Sequence, residues 1–192
     1  EFPSIPSSEG EQKMELPTAV FRQGLEDVTF AAALDDTRPV LNGVLLSLVG
    51  TTLTMVATDS YRLAERTIPL PGKLKGTMRA IVPSRSAGEL IRLLPTDPAT
   101  NVRLSLGKGQ FSVEFGETQV ISRLVEGTYP DYVGIIPTKP TTKVTVRRDD
   151  CLAAVKMTNL FARDASHHIR LIVGASSAEP FSVRAISSTV GT

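Results

Sequence analysis

The chain has 192 residues, of which 41% are hydrophobic, 21% charged and 5% aromatic. That length allows one large domain or about two ordinary ones. The net charge of +1 does not by itself indicate a nucleic-acid binder, so such a role has to come from where the basic residues lie. The sequence contains no apolar run of about 18 residues, so no membrane-spanning helix is predicted. No signal peptide is visible. Cys151 is the single cysteine, which excludes an internal disulfide and leads us to expect a cytoplasmic protein.

Residues 1–12 are rich in Pro and Ser and lack periodicity, which predicts a linker. A repeated pattern follows. Its first copy opens a helix after Pro17, because Pro is tolerated at a helix start, and a turn at residues 35–36 ends that helix. The apolar positions of the helix recur at helical spacing: Phe21, Leu25, Val28 and Ala32. Strands are predicted over residues 44–49 and 53–58.

The second copy begins with a strand at residues 80–82 and a helix after Pro83. Apolar residues again fall on one helical face, at Ala87, Leu90, Ile91 and Leu94. Two strands with alternating apolar positions follow over residues 102–106 and 111–115. The turn between them, at residues 107–109, lacks the remainder of a phosphate-binding loop.

The third copy has a predicted strand at residues 143–146 and a helix from Arg147 to about Arg163. Strands over residues 169–173 and 181–185 complete it. Pro17, Pro83 and Arg147 open the three helices at a spacing of roughly 65 residues, which is a regular period. The repeat predicts an α+β fold in which helices cover one face of an antiparallel sheet.

Each predicted helix carries basic residues on its outer face: Arg22, Arg85, Arg92, Arg147, Arg148 and Lys156. Solubility alone explains such residues on many helices. The functional alternative is a surface that follows a phosphate backbone without reading bases. No aromatic residues interleave with the basic ones, so base stacking on single strands is not expected.

Three stretches give the sequence a specific resemblance: Arg-Pro-Val-Leu-Asn-Gly-Val at 38–44, Val-Ala-Thr-Asp-Ser-Tyr-Arg-Leu-Ala at 56–64 and Val-Glu-Gly-Thr-Tyr-Pro-Asp-Tyr at 125–132. In their order and spacing they resemble bacterial DNA sliding clamps, the β subunit of DNA polymerase III. The resemblance covers essentially the whole chain. It implies the DNA-clamp fold, in which repeated units close into a ring with the helices inside.

The family likeness also implies a domain plan and partners. Residues 1–12 would be the exit of a preceding first domain, residues 13–138 a complete second domain and residues 139–192 the opening of a third. The full-length protein would be a head-to-tail homodimer that encircles double-stranded DNA without sequence specificity. It would tether the replicative polymerase, the clamp loader and other proteins through short linear peptides. No cofactor is implied.

By the same resemblance the peptide-binding residues would be Arg38, Leu41, Thr58, Ser60, Tyr61, Arg62, Leu63, Pro130, Gly134 and Ile135. Their apolar members would form a hole for a Leu or Phe anchor, and their polar members would bind the peptide backbone or an acidic side chain. The alternative is that Leu41 and Leu63 are core residues. Some family members carry Gly and His where this chain has Ser60 and Tyr61.

Among the basic residues, Arg85 matches a position on a helix that lines the family's channel. The loop at residues 34–40 matches one that touches DNA, although Asp35, Pro39 and Val40 stand where polar or aromatic residues can occur. A DNA-binding module that grips instead of sliding is an alternative, and it predicts steep salt dependence on linear DNA.

Catalytic residues are sparse in the sequence. A hydrolase-like enzyme using Asp59, Tyr61 and Arg62 is the alternative function, but no nucleophile accompanies these residues. His167 and His168 lack a further ligand at metal-binding spacing, and Cys151 lacks a nearby base. We therefore expect a non-catalytic protein without a metal site.

Overall fold

The computed structural model describes residues 12–35, 37–70, 72, 77–107, 109–162, 168–174 and 181–185. The chain divides into two compact units, residues 1–131 (unit 1) and 132–192 (unit 2). The sequence placed that boundary after Thr138, and its assignment of clamp domains stays a prediction. Most of the predicted linker, together with Asp36, Arg163 and His167, lies outside the described residues. In the described part, no helix has the length and apolarity to cross a membrane.

Unit 1 contains the same order of elements twice: a strand, a helix and three further strands. The first copy consists of β1 (Gln12–Pro17), α1 (Thr18–Thr29), β2 (Gly43–Val49), β3 (Thr52–Thr58) and β4 (Leu63–Pro69). The helix begins directly after Pro17, whose φ of −59° suits a helix start. The predicted start of the first helix and its two following strands are confirmed.

The second copy of the repeat consists of β5 (Thr77–Pro83), α2 (Ser84–Leu93), β6 (Asn101–Leu106), β7 (Gln110–Phe115) and β8 (Thr118–Arg123). Pro83 precedes α2 as Pro17 precedes α1. Strands β4 and β8 are absent from the predicted repeat. Charged and polar residues occupy both faces of β4, at Glu65, Arg66 and Thr67, so the alternation that marks a strand in sequence is lost there.

The two copies exchange their first strands. One sheet has the order β4-β3-β2-β5 and the other β1-β6-β7-β8, and every pair is antiparallel. Strand β5 of the second copy therefore completes the sheet of the first, and β1 of the first completes the sheet of the second. The predicted α+β fold with antiparallel strands is confirmed. The expectation of a single sheet is wrong, because the unit has two four-stranded sheets, each made of three strands from one repeat and one from the other.

Matching hydrogen bonds fix the start of each helix to the other copy. The Thr18 amide donates to the Thr100 carbonyl at 2.9 Å, and the Ser84 amide donates to the Asn42 carbonyl at 3.2 Å. Each acceptor directly precedes a strand of the opposite repeat. These bonds satisfy amides that a helix start leaves without an intrahelical partner, and they give the two copies the same local arrangement.

One core lies between the two sheets and the helices. Helix α1 packs against α2 and against strands of both sheets, and its side chains Phe21, Leu25 and Val28 are fully buried. Side chains of this size each contribute about 1.5–3 kcal/mol when buried. Because α1 packs against both sheets, we expect a substitution in its buried face to change the stability of the whole unit.

Helix α1 ends at Thr29, earlier than the sequence predicts. The Ala33 amide donates to the Leu41 carbonyl at 2.9 Å instead of continuing the helix. Ala32, predicted as the last apolar helical position, is buried beyond the helix end. The apolar run extends past the helix because the following turn is also part of the core.

Unit 2 contains a short 3-10 helix (Val133–Ile135), α3 (Arg148–Ala162), β9 (Arg170–Ile172) and β10 (Ser182–Arg184). Strands β9 and β10 pair antiparallel, as predicted. The predicted strand at residues 143–146 is wrong, since that segment has no regular secondary structure and no strand pairing. In unit 1 the equivalent strands β1 and β5 are held by the neighbouring repeat, and the described part of unit 2 offers no such neighbour.

Two helical glycines give a matched test of the core. A Cβ at Gly24 in α1 would lie 2.8 Å from Ile68 Cδ1 and 2.9 Å from Met55 Sδ, whereas a Cβ at Gly88 in α2 would meet nothing within 4 Å. Alanine gains about 1 kcal/mol over glycine in a helix, but overpacking a buried site costs about 1–3 kcal/mol. We expect Gly88→Ala to stabilise unit 1 and Gly24→Ala to destabilise it in urea unfolding. A Gly24→Ala variant as stable as wild type would contradict this packing.

Candidate partner-binding site

The turn between β3 and β4 is held by its own side chains. The Thr58 hydroxyl donates to the Arg62 carbonyl at 2.7 Å and accepts from the Ser60 amide at 3.1 Å. The Asp59 carboxylate accepts from the amides of Tyr61 and Arg62 at 2.9 and 3.0 Å. Nearly every polar group of the turn is therefore satisfied locally, which gives an exposed loop a defined shape.

Asp59 also determines the position of Arg62. Its Oδ2 accepts from Arg62 Nε at 3.1 Å, and the guanidinium carbon lies 5.7 Å from the centre of the Phe30 ring. Burial alone would raise the pKa of Asp59, but the amide hydrogen bonds from Arg62 and Tyr61 and the Arg62 charge hold that pKa below its ordinary value. The carboxylate stays charged and keeps Arg62 against Phe30.

Arg38 joins this turn to a second loop. Its Nη1 donates to Ser60 Oγ at 2.8 Å, and its Nη2 lies 3.5 Å from the Asp59 carbonyl oxygen. The loop that carries Arg38 is closed by the Leu41 amide, which donates to the Arg38 carbonyl at 2.9 Å. The structure thus brings five of the predicted peptide-binding residues into one hydrogen-bonded cluster: Arg38, Thr58, Ser60, Tyr61 and Arg62.

Ser60 has a φ of +78°, the only positive value at a non-glycine among the described residues. This region costs an L-residue roughly 1–2 kcal/mol. The Ser60 hydroxyl accepts from Arg38 of the second loop, and its amide donates to the Thr58 hydroxyl in the turn. Those bonds offset part of the strain.

The apolar candidates in unit 1 differ in exposure. Leu41 is 3% exposed and belongs to the interior of the unit, Leu63 is half-buried, and Tyr61 is 93% exposed. Pro130 is exposed and follows the buried Tyr129. The burial of Leu41 agrees with the core alternative for that residue, whereas Tyr61 and Pro130 present apolar surface to solvent.

Gly127 is a contributor that the sequence reasoning missed. A Cβ on it would lie 2.6 Å from Val40 Cγ1, and its φ is +131°. Its glycine therefore allows the segment before Pro130 to approach the loop of Arg38 and Leu41. Its position inside the 125–132 motif was the available signal.

Two other predicted peptide-binding residues lie in unit 2. Gly134 and Ile135 belong to its 3-10 helix and are exposed, Ile135 by 68%. Their share in a peptide site stays a prediction from the family resemblance.

The geometry does not support the hydrolase alternative. The Asp59 carboxylate is occupied by three donors, and its lowered pKa makes it a weak base. Elsewhere, Cys151 is half-buried in α3 and His168 is exposed. The described residues contain no cluster of three or more His, Cys, Asp or Glu that could hold a metal ion.

Most of the basic helix residues are compensated by nearby acids. Arg22 pairs with Glu26 at 2.9 Å, and its Nε donates to the Ile91 carbonyl of α2. Arg92, Arg147 and Arg148 pair with neighbouring acids: Glu89, Asp150 and Asp149 respectively. Within the described part of the chain, Arg85 and Lys156 make no ion pair. They carry the uncompensated charge of the predicted DNA-facing set.

A cleft that the sequence did not predict lies on the sheet face opposite the helices. Its volume is about 380 Å³, and its floor includes Leu45 and Ile81. The Val125 amide donates to the Ile81 carbonyl at 2.8 Å, so the segment after β8 forms one wall. Leu45 and Ile81 are paired across β2 and β5.

We expect Asp59→Asn to remove a pH-dependent part of the stability of unit 1. Because the folded-state pKa of Asp59 lies below its ordinary value of 3.8, its contribution is complete well above pH 3.8 and is lost as pH falls through the folded-state value. At pH 7 the variant should unfold more easily by about 1 kcal/mol or less, the range of exposed ion pairs. Urea unfolding of both proteins at pH 7, 5 and 3 measures this.

The two unfolding free energies should converge towards pH 3. A difference that is the same at all three pH values would contradict the role given to the Asp59 charge.

Comparison with known proteins places these features in a family. Residues 15–131 match the family described as DNA polymerase III beta subunit, central domain. The Bacillus subtilis protein named Beta sliding clamp is 28% identical over 191 residues, which cover 100% of this chain and 50% of that protein. The Pseudomonas putida protein of the same name is 33% identical over 175 residues, with coverages of 91% and 47%. The chain spans about half the length of the curated relatives it matches.

Solved structures give the same result. The crystal structure of the Bacillus subtilis DNA polymerase sliding clamp matches with a TM-score of 0.89 at 27% identity, over 100% of this chain and 50% of that one. The DNA polymerase III subunit beta from Pseudomonas aeruginosa matches with a TM-score of 0.83 at 31% identity, over 88% and 47%. The chain therefore belongs to the DNA polymerase III beta subunit family.

Proposed function

We propose that this chain is part of a sliding clamp, a non-catalytic processivity factor that encircles duplex DNA and tethers the replicative polymerase and other proteins through short peptides. The observation that carries the proposal is the cluster around the β3–β4 turn. This chain belongs to the clamp family, and its hydrogen-bonded turn presents the exposed Tyr61 together with the half-buried Leu63. A preformed surface of this kind lowers the ordering cost of peptide docking.

The cluster offers the two kinds of contact that a short peptide needs. Tyr61, Leu63 and Pro130 supply apolar surface for an aliphatic or aromatic anchor. Arg38 and Arg62 supply donors for peptide carbonyls or an acidic side chain. Leu41 is buried, so it packs inside the unit beneath its loop and offers no contact surface to a peptide in this conformation.

The DNA-facing role rests on the helices. Arg85 lies in the first turn of α2, is exposed and makes no ion pair within the described part of the chain. Sparse, uncompensated charge suits a surface that attracts phosphates without holding one register. We further propose a head-to-tail homodimer of the full-length protein, with the clamp loader among its partners, in the cytoplasm where the DNA is.

Peptide binding tests the tethering role. A fluorescent Gln-x-x-Leu-Phe peptide should bind the full-length protein saturably in a polarisation assay. The double variant Tyr61→Ala, Leu63→Ala should bind it at least about tenfold more weakly, because both removed side chains are apolar contacts. Val49→Ala is the matched control: Val49 is an exposed apolar residue of β2, at the opposite end of the same sheet.

The control should bind like wild type. No binding by folded, wild-type full-length protein would sink the peptide-site proposal, and equal loss in Val49→Ala would point to general destabilisation.

Salt dependence tests the DNA-facing helices. Arg85→Ala should reduce the slope of log K against log salt by about 1 on short duplex DNA, the amount expected for one phosphate contact. Arg79→Ala loses the same charge and is the control. Arg79 is exposed on β5, on the face away from the helices, because its neighbour Ala80 is in the core.

An equal effect of both variants would mean that only net charge matters. A second readout separates sliding from gripping: a ring should stay on closed circular DNA at salt that removes it from the linear form, whereas a gripping module should leave both forms together.

A further inference from the structure

Two guanidinium groups lie at the β3–β4 turn, and their charges are not equivalent. Arg62 is paired with the Asp59 carboxylate and lies against Phe30. Arg38 has neutral partners, the Ser60 hydroxyl and the Asp59 carbonyl oxygen, and no ion pair within the described part of the chain. The pKa of Asp35 is lowered mainly by its hydrogen bonds with Thr37, and the charge of Arg38 is the smallest of the causes. Arg38 is therefore the cation still available to an anion.

Ser60 has an unusual place in this arrangement. Its φ of +78° is a conformation that glycine adopts without strain. A side chain here costs stability, and the contact that its hydroxyl makes is the 2.8 Å bond from Arg38 Nη1. Strain retained at an exposed turn points to a role for the side chain that causes it.

We propose that Ser60 is a positioning residue that holds the Arg38 guanidinium ready to receive a carboxylate on the docked peptide. This rests on the proposed peptide-binding function and assigns the site a preference for acidic peptides. A guanidinium has five N–H donors. Ser60 and Asp59 engage one on each Nη, which leaves about three, enough for a charge-assisted bond to a carboxylate.

The bond to Ser60 also restricts the long Arg38 side chain before the peptide arrives. Ordering such a side chain on binding costs about 0.5–1.5 kcal/mol. Because Ser60 orders the Arg38 side chain during folding, this ordering cost does not arise on binding. A carboxylate therefore gains more binding free energy from Arg38 than from a freely rotating arginine. An uncharged amide in the same place gains far less from Arg38. The ratio of the affinities of a carboxylate peptide and an amide peptide therefore reports on the positioning of Arg38.

The experiment uses the full-length protein and paired peptides of the Gln-x-x-Leu-Phe type that carry Glu or Gln at one x position and Ala at the other, with each x position tested in turn. Affinities are measured by fluorescence polarisation at low ionic strength. At one of the two positions, wild-type protein should bind the Glu peptide about five- to tenfold more tightly than the Gln peptide, a difference of about 1–1.4 kcal/mol.

Three variants separate the possible causes. Ser60→Gly relaxes the backbone, so it folds, and it should lose most of the preference for Glu, measured as the ratio of the Glu-peptide to the Gln-peptide affinity. Arg38→Gln should abolish the preference. Arg62→Gln removes the same charge from the same turn and is the matched control, which should keep the preference because Arg62 is already neutralised by Asp59.

The outcomes are distinct. Equal affinity of wild type for Glu and Gln peptides at both positions overturns the inference and leaves the proposed function standing. A preference that survives in Ser60→Gly, or that disappears equally in Arg62→Gln, also overturns it. Failure of every peptide to bind wild-type protein overturns the proposed function together with the inference.

Discussion

The exchange of first strands between the two repeats is the constraint on which the structure of unit 1 depends. Strand β5 completes one sheet and β1 the other, so neither repeat has a finished sheet of its own. The helix starts are tied across the same seam, through Thr18 and Ser84. A sheet with a strand removed exposes unpaired backbone groups and apolar side chains. The two repeats therefore form one cooperative unit, and this unit holds the β3–β4 turn rigid.

The periodic parts of the fold were predictable from the sequence. Helical spacing of apolar residues predicted α1 and α2, the repeat predicted α3, and Pro17 and Pro83 marked the first two starts correctly. Local patterns carry no information about which strands pair across a long interval, so the exchange of β1 and β5 was missed. The wrong strand at residues 143–146 has the same origin. Its alternation is suitable for a strand, but a strand also needs a neighbour that supplies a ladder.

The residues of the candidate site stay a prediction from the family motifs, and the structure adds the contacts between them. The family motifs supplied Arg38, Ser60 and Tyr61, since recognition motifs are local in sequence. The bond between Arg38 and Ser60 joins residues that are 22 positions apart. Nothing in the sequence marks Ser60 as a residue with a φ of +78°. The contact between helices was likewise invisible: Arg22 and Arg85 look alike in sequence, yet of these two only Arg22 has its guanidinium engaged by a neighbouring helix.

The strand exchange also has a consequence for biosynthesis. When β1 leaves the ribosome, its partner β6 begins only at Asn101, so at ordinary elongation rates β1 waits on the order of ten seconds for a partner. The hairpin of β2 and β3 forms early but keeps an open edge until β5 appears. Nascent chains with bare strand edges pair readily with one another. Polysomes that translate this protein would then be a place where chaperones are needed, even though each exchanged strand of the finished unit is paired with a neighbour in its sheet.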